Sequence, residues 1–380
     1  MKHRLSVLLV AISAGLAAAG SAEPAERPRY GGTLRVEIGA VVNSIDPSTP
    51  AATPQEAAAK EEICSLLYER RNSDGTFAGV AGSGAFRIAE WEPGKHLMLE
   101  ANPDYRGGRA FVDSVEIEMG RSSRERLLDL EVGKTDFAEI PPEEVRRATE
   151  VGVRVSTSRP DELVAIVFTA GRPLAEDAHA REALARSIDR AAIVNFILQK
   201  EGEAAGGLLP QWSSGTAFLF PATVDAAAAK NLWAQIAGSP KIFLGYDAND
   251  PLEQSIAERI AVNARDAGME VAAAPKQGTA TNYDAVLVRF RLSSPDPAVA
   301  LARLAAAFAP LAGMNVDPLA EAAPPQRVYD YERALVTGYR IVPLIWLPRV
   351  YGLGARLRNW DTPAPGAAWP FADVWLGDTQ

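Results

Sequence analysis

Residues 82–108 read GSGAFRIAEWEPGKHLMLEANPDYRGG. On each side of Pro93-Gly94 apolar and polar residues alternate, which predicts two half-buried strands joined by a hairpin. Working outward toward the C-terminus, VDSVEIEMG (112–120) is another strand, and RSSRERLLDLEVGKTDFAEI (121–140) reads as helix plus short strand. PEEVRRATEVGVRVSTS (142–158) repeats that rhythm, and ELVAIVFTA (162–170) is a nearly continuous apolar run, the pattern of a strand buried on both faces. Toward the N-terminus, TLRVEIGA (33–40) alternates as an opening strand, and EAAAKEEICSLLYERR (56–71) carries a helical apolar face containing Cys64, read as a small core residue. The alternation of helices and strands predicts an α/β fold.

The second half continues the pattern. AHAREALARSIDRAAIVNFIL (178–198) reads as one helix, KIFLGYD (241–247) as a strand, and DPLEQSIAERIAVNARDAG (250–268) as a helix. That last helix opens with Asp250 as N-cap, Pro251 at the first position and Glu253 completing a capping box, and Gly268 stops it. Strands follow at MEVAAAP (269–275), YDAVLVRFR (283–291) and IVPLIWLPRVYGLG (341–354), with helices at LARLAAAFA (301–309) and RVYDYERALVTG (327–338).

The chain has 380 residues, 47% hydrophobic and 23% charged, an ordinary globular composition large enough for two domains. One cysteine and three histidines leave no internal disulfide and no Cys/His zinc cluster. A formal charge of -9 has the wrong sign for neutralising phosphates, so nucleic acid is not an expected partner. Lys2 and Arg4, the apolar run at 5–20 and small residues up to Ala22 form a three-part secretory signal. Its apolar part is short of the ~20 residues a membrane span needs. Export to the periplasm with residues 1–22 removed is therefore expected. No cysteine follows the apolar run to carry a lipid.

The phrases YGGTLRVEIG with NSIDP, the 82–108 stretch, REALARSIDRAAIV, YDAVLVRFRLSSPDP and VPLIWLPRVYGLGARLRNW together resemble the family-5 extracellular solute-binding proteins. These are receptors that deliver dipeptides, oligopeptides and nickel chelates to ABC importers. Gly82, Gly84 and Phe86 match the family's Gly-Thr-Gly-Pro-Tyr segment. Asn102, Pro103, Tyr105, Gly107 and Gly108 match its Asn-Pro turn, and Ile188, Asp189 and Arg190 its Ile-Asp-Arg helix. The resemblance implies a type II periplasmic binding protein: two α/β lobes, a hinge and a solute cleft between them. Lobe I would hold residues 23–170 with a C-terminal return at 343–380, and lobe II residues 171–342, with crossings near 168–172 and 342–348.

Two departures matter. Only a few residues join Gly79 to Gly82, where family members carry an inserted domain, so that domain is largely missing. In RLSSPDP, aligning on Pro295, Asp296 and Pro297 puts Ser293 where peptide-binding members place the aspartate for the ligand's amino group. Serine gives a hydrogen bond without charge-assistance.

Candidate cleft residues are Asn43, Ser44 and Asp46 after the first strand, Arg289, Arg291, Ser293, Ser294 and Asp296 at a second-lobe strand end, Trp346 and Arg349 at the return crossing, and Trp212 in a Pro-bearing loop. Ligands of open α/β sheets lie beyond the carboxyl ends of strands. Plainer readings stand beside these: a solvated strand face for Arg289 and Arg291, a turn for Asp46-Pro47, a core aromatic for Trp346. Arginines without an acidic amino-group partner favour an anionic ligand.

Several motifs fail. Gly82-Ser83-Gly84 lacks phosphate-loop spacing. Asp247, Asn249 and Glu258 match calcium-loop positions, but Pro251 and Leu252 break the loop. His96 and His179 stand in no catalytic context, and no enzyme activity, cofactor or metal is expected. The expected protein is a periplasmic receptor, a monomer, that captures a peptide-like, anionic or polar solute for permease subunits in the inner membrane. The alternative is a domain-deleted scaffold that binds a polypeptide and no solute. A polar-lined pocket between the lobes, or an apolar interface, separates the two.

Overall fold

The computed structural model describes residues 27–71, 77–78, 81–214, 219–238, 240–277 and 282–378. The secretory signal expected at 1–22 lies outside them. Two sheets organise the chain.

The first sheet uses β1 (Thr33–Glu37), β2 (Phe86–Glu92), β3 (His96–Ala101), β4 (Ser114–Glu118), β5 (Phe137–Ile140) and β6 (Arg154–Thr157). Helix α1 (Pro54–Leu67) follows β1, and α2 (Ser123–Glu131) precedes β5. The second sheet uses β7 (Glu162–Phe168), β8 (Glu203–Ala204), β9 (Lys241–Tyr246), β10 (Glu270–Pro275), β11 (Ala285–Arg291) and β12 (Ile341–Leu347). Around it lie α3 (Ala178–Ser187), α4 (Ala226–Trp233), α5 (Pro251–Asp266), α6 (Pro297–Phe308) and α7 (Pro325–Val336). The chain then returns to the first sheet as β13 (Val350–Leu353). The strand orders are β2-β3-β4-β1-β5-β13-β6 and β8-β12-β7-β11-β9-β10.

The apolar run at 162–168 becomes β7, paired with β11 on one side and β12 on the other. Residues 163–168 are all buried, as a central strand covered on both faces must be. Pro343 would interrupt the ladder in β12. A register shift between Pro343 and Ile345 accommodates it, and its carbonyl accepts a hydrogen bond from the buried Arg190 Nε at 3.0 Å.

Because β7 and β12 belong wholly to the second sheet, the chain passes between sheets at 158–161, ahead of the 168–172 expected from the resemblance, and at 348–349, at the end of the expected 342–348. There the two crossings run side by side. Ser158 N donates to Arg349 O at 2.9 Å, Arg349 N to Ser158 Oγ at 2.9 Å, and Asp161 N to Leu347 O at 3.0 Å.

The 178–198 stretch is not one helix. It stops at Ser187, and Asp189 caps a new turn by accepting from Ala192 N at 2.9 Å, after which Ile193–Ile197 form a π-helical turn. Asp250 does cap α5, but Glu253 accepts from Asp247 N at 2.7 Å and not from the Asp250 backbone. Cys64 is buried in α1.

Where the family carries its inserted domain, short strands Arg70–Arg71 and Phe77–Ala78 pair, and the chain turns back onto the end of α1. Gly82 N and Gly84 N both donate to Leu67 O, at 2.8 and 2.9 Å. A Cβ on Gly84 would stand 2.4 Å from Leu66 O and 2.7 Å from the Leu67 carbonyl carbon. Gly84→Ala is therefore expected to lose about 1–3 kcal/mol by overpacking. Chemical denaturation measures it, and a loss below 0.5 kcal/mol (~0.5, the level of neutral surface changes) would mean that the junction yields.

Candidate functional site

The facing edges of the two lobes meet through charged side chains. Arg349, on the return crossing and 5% exposed, donates from Nε to Asp161 Oδ2 at 2.8 Å and from Nη1 to Glu62 Oε1 at 3.0 Å. Its Nη2 reaches Ala364 O at 3.1 Å. Glu62 also accepts from Trp369 N at 3.0 Å. Thr53 caps α1 and Pro54 follows at its first turn, which sets the helix so that Glu62 shares its buried face with Ala59, Ile63 and Leu66.

Arg289, at the end of β11, forms a bidentate pair with Glu162 at 3.1 and 2.8 Å and a further bond to Asp250 Oδ2 at 2.5 Å. Asp250 also accepts from Gln55 Nε2 of α1 at 3.5 Å, a contact between lobes. Arg291 behaves differently. Its Nη1 stands 4.0 Å from Glu139 Oε1, across the interface on β5. Arg291 Nε, Glu139 Oε1, Asp161 Oδ1 and Tyr351 Oη are all buried and make no hydrogen bond. Between α1, the end of β11 and residues 366–368 the cavity is about 10 Å³. That is room for about one water.

Electrostatics follow the geometry. Burial pushes Glu62 up to about 7 and Asp161 up to about 6, opposed chiefly by Arg349. Burial works against the charge of Arg289, but Glu162 and Asp250 hold it on and raise its pKa. Glu139, Glu162 and Asp161 do the same for the half-buried Arg291. Glu162 stays below its ordinary range despite burial, because Arg289 and then Arg291 favour its ionised form.

A carboxyl raised in the folded state favours folding most at low pH, and this contribution is lost as pH rises from its ordinary value to the folded value. Burial also pushes Glu332 up to about 7. Glu176, held at about 2 by Arg340, adds no slope above its ordinary range. The melting temperature should therefore fall between about pH 5 and pH 7.5, and Glu62→Gln should flatten the fall. A melting temperature that rises over this window would contradict the assignment.

Of the sequence candidates, Arg291 and Arg349 are brought together at the interface, with Arg289 beside them. Arg289 and Arg349 do not favour an anionic solute, because they are already neutralised by Glu162, Asp250, Glu62 and Asp161. Trp212 donates from Nε1 to Pro160 O at 2.8 Å, so it braces a crossing. Trp346 is buried and lines a cavity inside the second lobe.

The remaining candidates are committed to local structure. Asn43 N donates to Glu56 Oε1 at 2.9 Å. Ser44 Oγ accepts from Asp46 N at 3.3 Å, and Asp46 accepts from Ser48 N at 2.9 Å in an exposed turn. Ser293 Oγ accepts from Arg303, Ser294 Oγ from Asp296 N at 3.1 Å, and Asp296 caps α6 through Ala298 N at 2.8 Å.

Sequence reasoning missed Glu62, Glu139, Asp161, Glu162 and Asp250. A signal existed for Glu162, since β7 and β11 run antiparallel and put it opposite Arg291. Among the described residues, one group has metal-ligand spacing: His96 with Glu116 and Glu118, at 3.4 and 4.0 Å on neighbouring strands, sharing no residue with the cleft.

Two α/β lobes joined by paired crossings and meeting at a charged cleft have the fold of type II periplasmic binding proteins. Solved structures support this fold. The ABC transporter substrate-binding protein CtaP of Listeria monocytogenes matches with a TM-score of 0.71 and 15% identity, over 92% of this chain and 100% of that one. The periplasmic binding protein DppA of Helicobacter pylori, in complex with the peptide STSA, matches with a TM-score of 0.71 and 14% identity, over 92% and 99%. At these identities the likeness concerns fold alone. The family "Bacterial extracellular solute-binding proteins, family 5 Middle" matches residues 40–312, and the chain belongs to it.

Among curated relatives, the oligopeptide-binding protein AppA of Bacillus subtilis is 30% identical over 125 residues, 33% of this chain and 23% of that protein. The probable D,D-dipeptide-binding periplasmic protein DdpA of Escherichia coli is 29% identical over 183 residues, 47% of this chain and 35% of that protein. The matches thus span well under half the length of these relatives.

Proposed function

We propose that the chain is an exported periplasmic receptor that captures a small zwitterionic, peptide-like solute between its lobes and presents it to the permease subunits of an ABC importer. The observation that carries this reading is the pair Arg291 and Glu139: opposite charges on opposite lobes, half-buried, 4.0 Å apart, with the buried atoms Arg291 Nε and Glu139 Oε1 unbonded. A solute bearing a carboxylate and an ammonium satisfies both at once, its carboxylate on Arg291 and its ammonium on Glu139 and Asp161. The site carries more acids than arginines, which favours a ligand with an amino group over a pure anion. A space of about 10 Å³ admits no such solute, so the lobes move apart at residues 158–161 and 348–349 to load and close again. In this reading lobe I comprises the first sheet with the C-terminal return, and lobe II the second sheet.

The closed, ion-paired interface favours one rival, a periplasmic scaffold whose lobes stay shut. Calorimetry separates them. Free dipeptides should bind, and N-acetylation or C-amidation should each weaken binding about tenfold or more, the worth of one charge-assisted hydrogen bond. Equal affinity for free and doubly blocked peptides would reject the zwitterion site, and heatless titration of the whole panel would leave the scaffold.

A further inference from the structure

Lobe II holds a cavity of about 430 Å³ that shares no lining residue with the interlobe cleft. Its volume is in the range of small-molecule sites. Val194, Leu209, Leu219 and Trp346 supply apolar wall, and Glu332 of α7 lines it with only 2% of its surface exposed. One oxygen of that carboxylate is fixed: Oε1 accepts from Leu208 N at 2.6 Å and Leu209 N at 2.9 Å. Gly207 makes this approach possible, since a Cβ there would stand 2.5 Å from Oε1. The other oxygen, Oε2, accepts no hydrogen bond from the described residues.

A buried carboxylate is costly without a counter-charge. Several other buried carboxylates have one: Arg349 serves Glu62 and Asp161, Arg289 serves Glu162 and Asp250, Arg35 and Arg356 serve Asp136, and Arg172 serves Asp284. Among the described residues, no lysine, arginine or histidine lines the cavity around Glu332. Its other titratable lining residue among those described is a second acid, Glu203. The rim is formed by Ala191, Val194 and Asn195, leading into the π-helical turn Ile193–Ile197, an irregularity frequent at functional sites.

We propose that this cavity is a second binding site, for a small organic cation with a short apolar body, an alkyl- or arylalkylammonium whose charged head meets Glu332 while its body packs on Leu209, Leu219 and Trp346. The site stands independently of the interlobe reading, because it is built from one lobe alone.

The test titrates butylammonium and phenethylammonium into the full chain at pH 8, where Glu332 is ionised, with butanol and 2-phenylethanol as neutral controls. The expected result is saturable 1:1 binding of at least one ammonium, at least tenfold tighter than its alcohol (~10-fold, one charge-assisted contact). Glu332→Gln should weaken it by a similar factor. Ala191→Phe, at an exposed rim position that leaves the core intact, should block it, while Arg291→Ala in the interlobe cleft should leave it unchanged. Absence of saturable binding by both amines, equal binding of the alcohols, or loss on Arg291→Ala with retention in Ala191→Phe would each overturn the site. Should Glu332→Gln not fold, Ala191→Phe and the alcohol comparison decide.

Discussion

Arg349→Ala is expected to lower folding stability by about 3–5 kcal/mol, the cost of breaking a buried ion cluster from one side. The side chain joins Asp161 at the first crossing to Glu62 on α1, and both acids are almost wholly buried. Removing the guanidinium leaves two carboxyls without their cation and frees the carbonyl of Ala364. Urea denaturation of the purified protein measures the loss. Replacing the cluster as a whole, with Arg349→Met, Glu62→Gln and Asp161→Asn together, should recover much of it, because uncompensated charge and not lost attraction is the main cost. A single-variant loss under about 1 kcal/mol, the scale of exposed pairs, would show that water reaches the cluster.

Arg291→Ala is expected to weaken solute binding by about 2–5 kcal/mol, which is at least thirtyfold in Kd. Its guanidinium stands 4.0 Å from Glu139, too far for a hydrogen bond, whereas a bound carboxylate would gain a charge-assisted partner. Glu139→Gln should weaken free dipeptides yet spare N-acetylated ones. Calorimetry on both variants checks this. Unchanged affinity in Arg291→Ala would move the solute away from this pair.

The layers of the fold were legible because periodicity carries them. The run at 162–168 could only be a strand covered on both faces, and the alternation around Pro93-Gly94 could only be a hairpin. The helix broken at Ile188-Asp189 was not legible, since its apolar spacing continues through a residue whose carboxylate prefers to cap a new turn. For the site, sequence identified the arginines but not their partners. An arginine near a strand end reads the same whether solvent, a ligand or a carboxylate distant in sequence faces it. Glu62 lies 287 residues from Arg349, and only tertiary packing brings them together. Asp46, Ser294 and Asp296 mislead for the opposite reason: their short polar side chains bond to nearby backbone, which turn and cap chemistry explains without a ligand.

The central claim is that the two lobes open and close about residues 158–161 and 348–349 around a solute. Spin labels at Glu90→Cys on lobe I and Lys230→Cys on lobe II, both exposed positions, report the separation directly, and the buried Cys64 stays unlabelled. Pulsed electron-electron resonance should give a broad distance distribution without solute and one narrow, shorter distance with a bound dipeptide. A single distance, unchanged by any dipeptide and by Arg291→Ala, would contradict the account and leave a closed scaffold in its place.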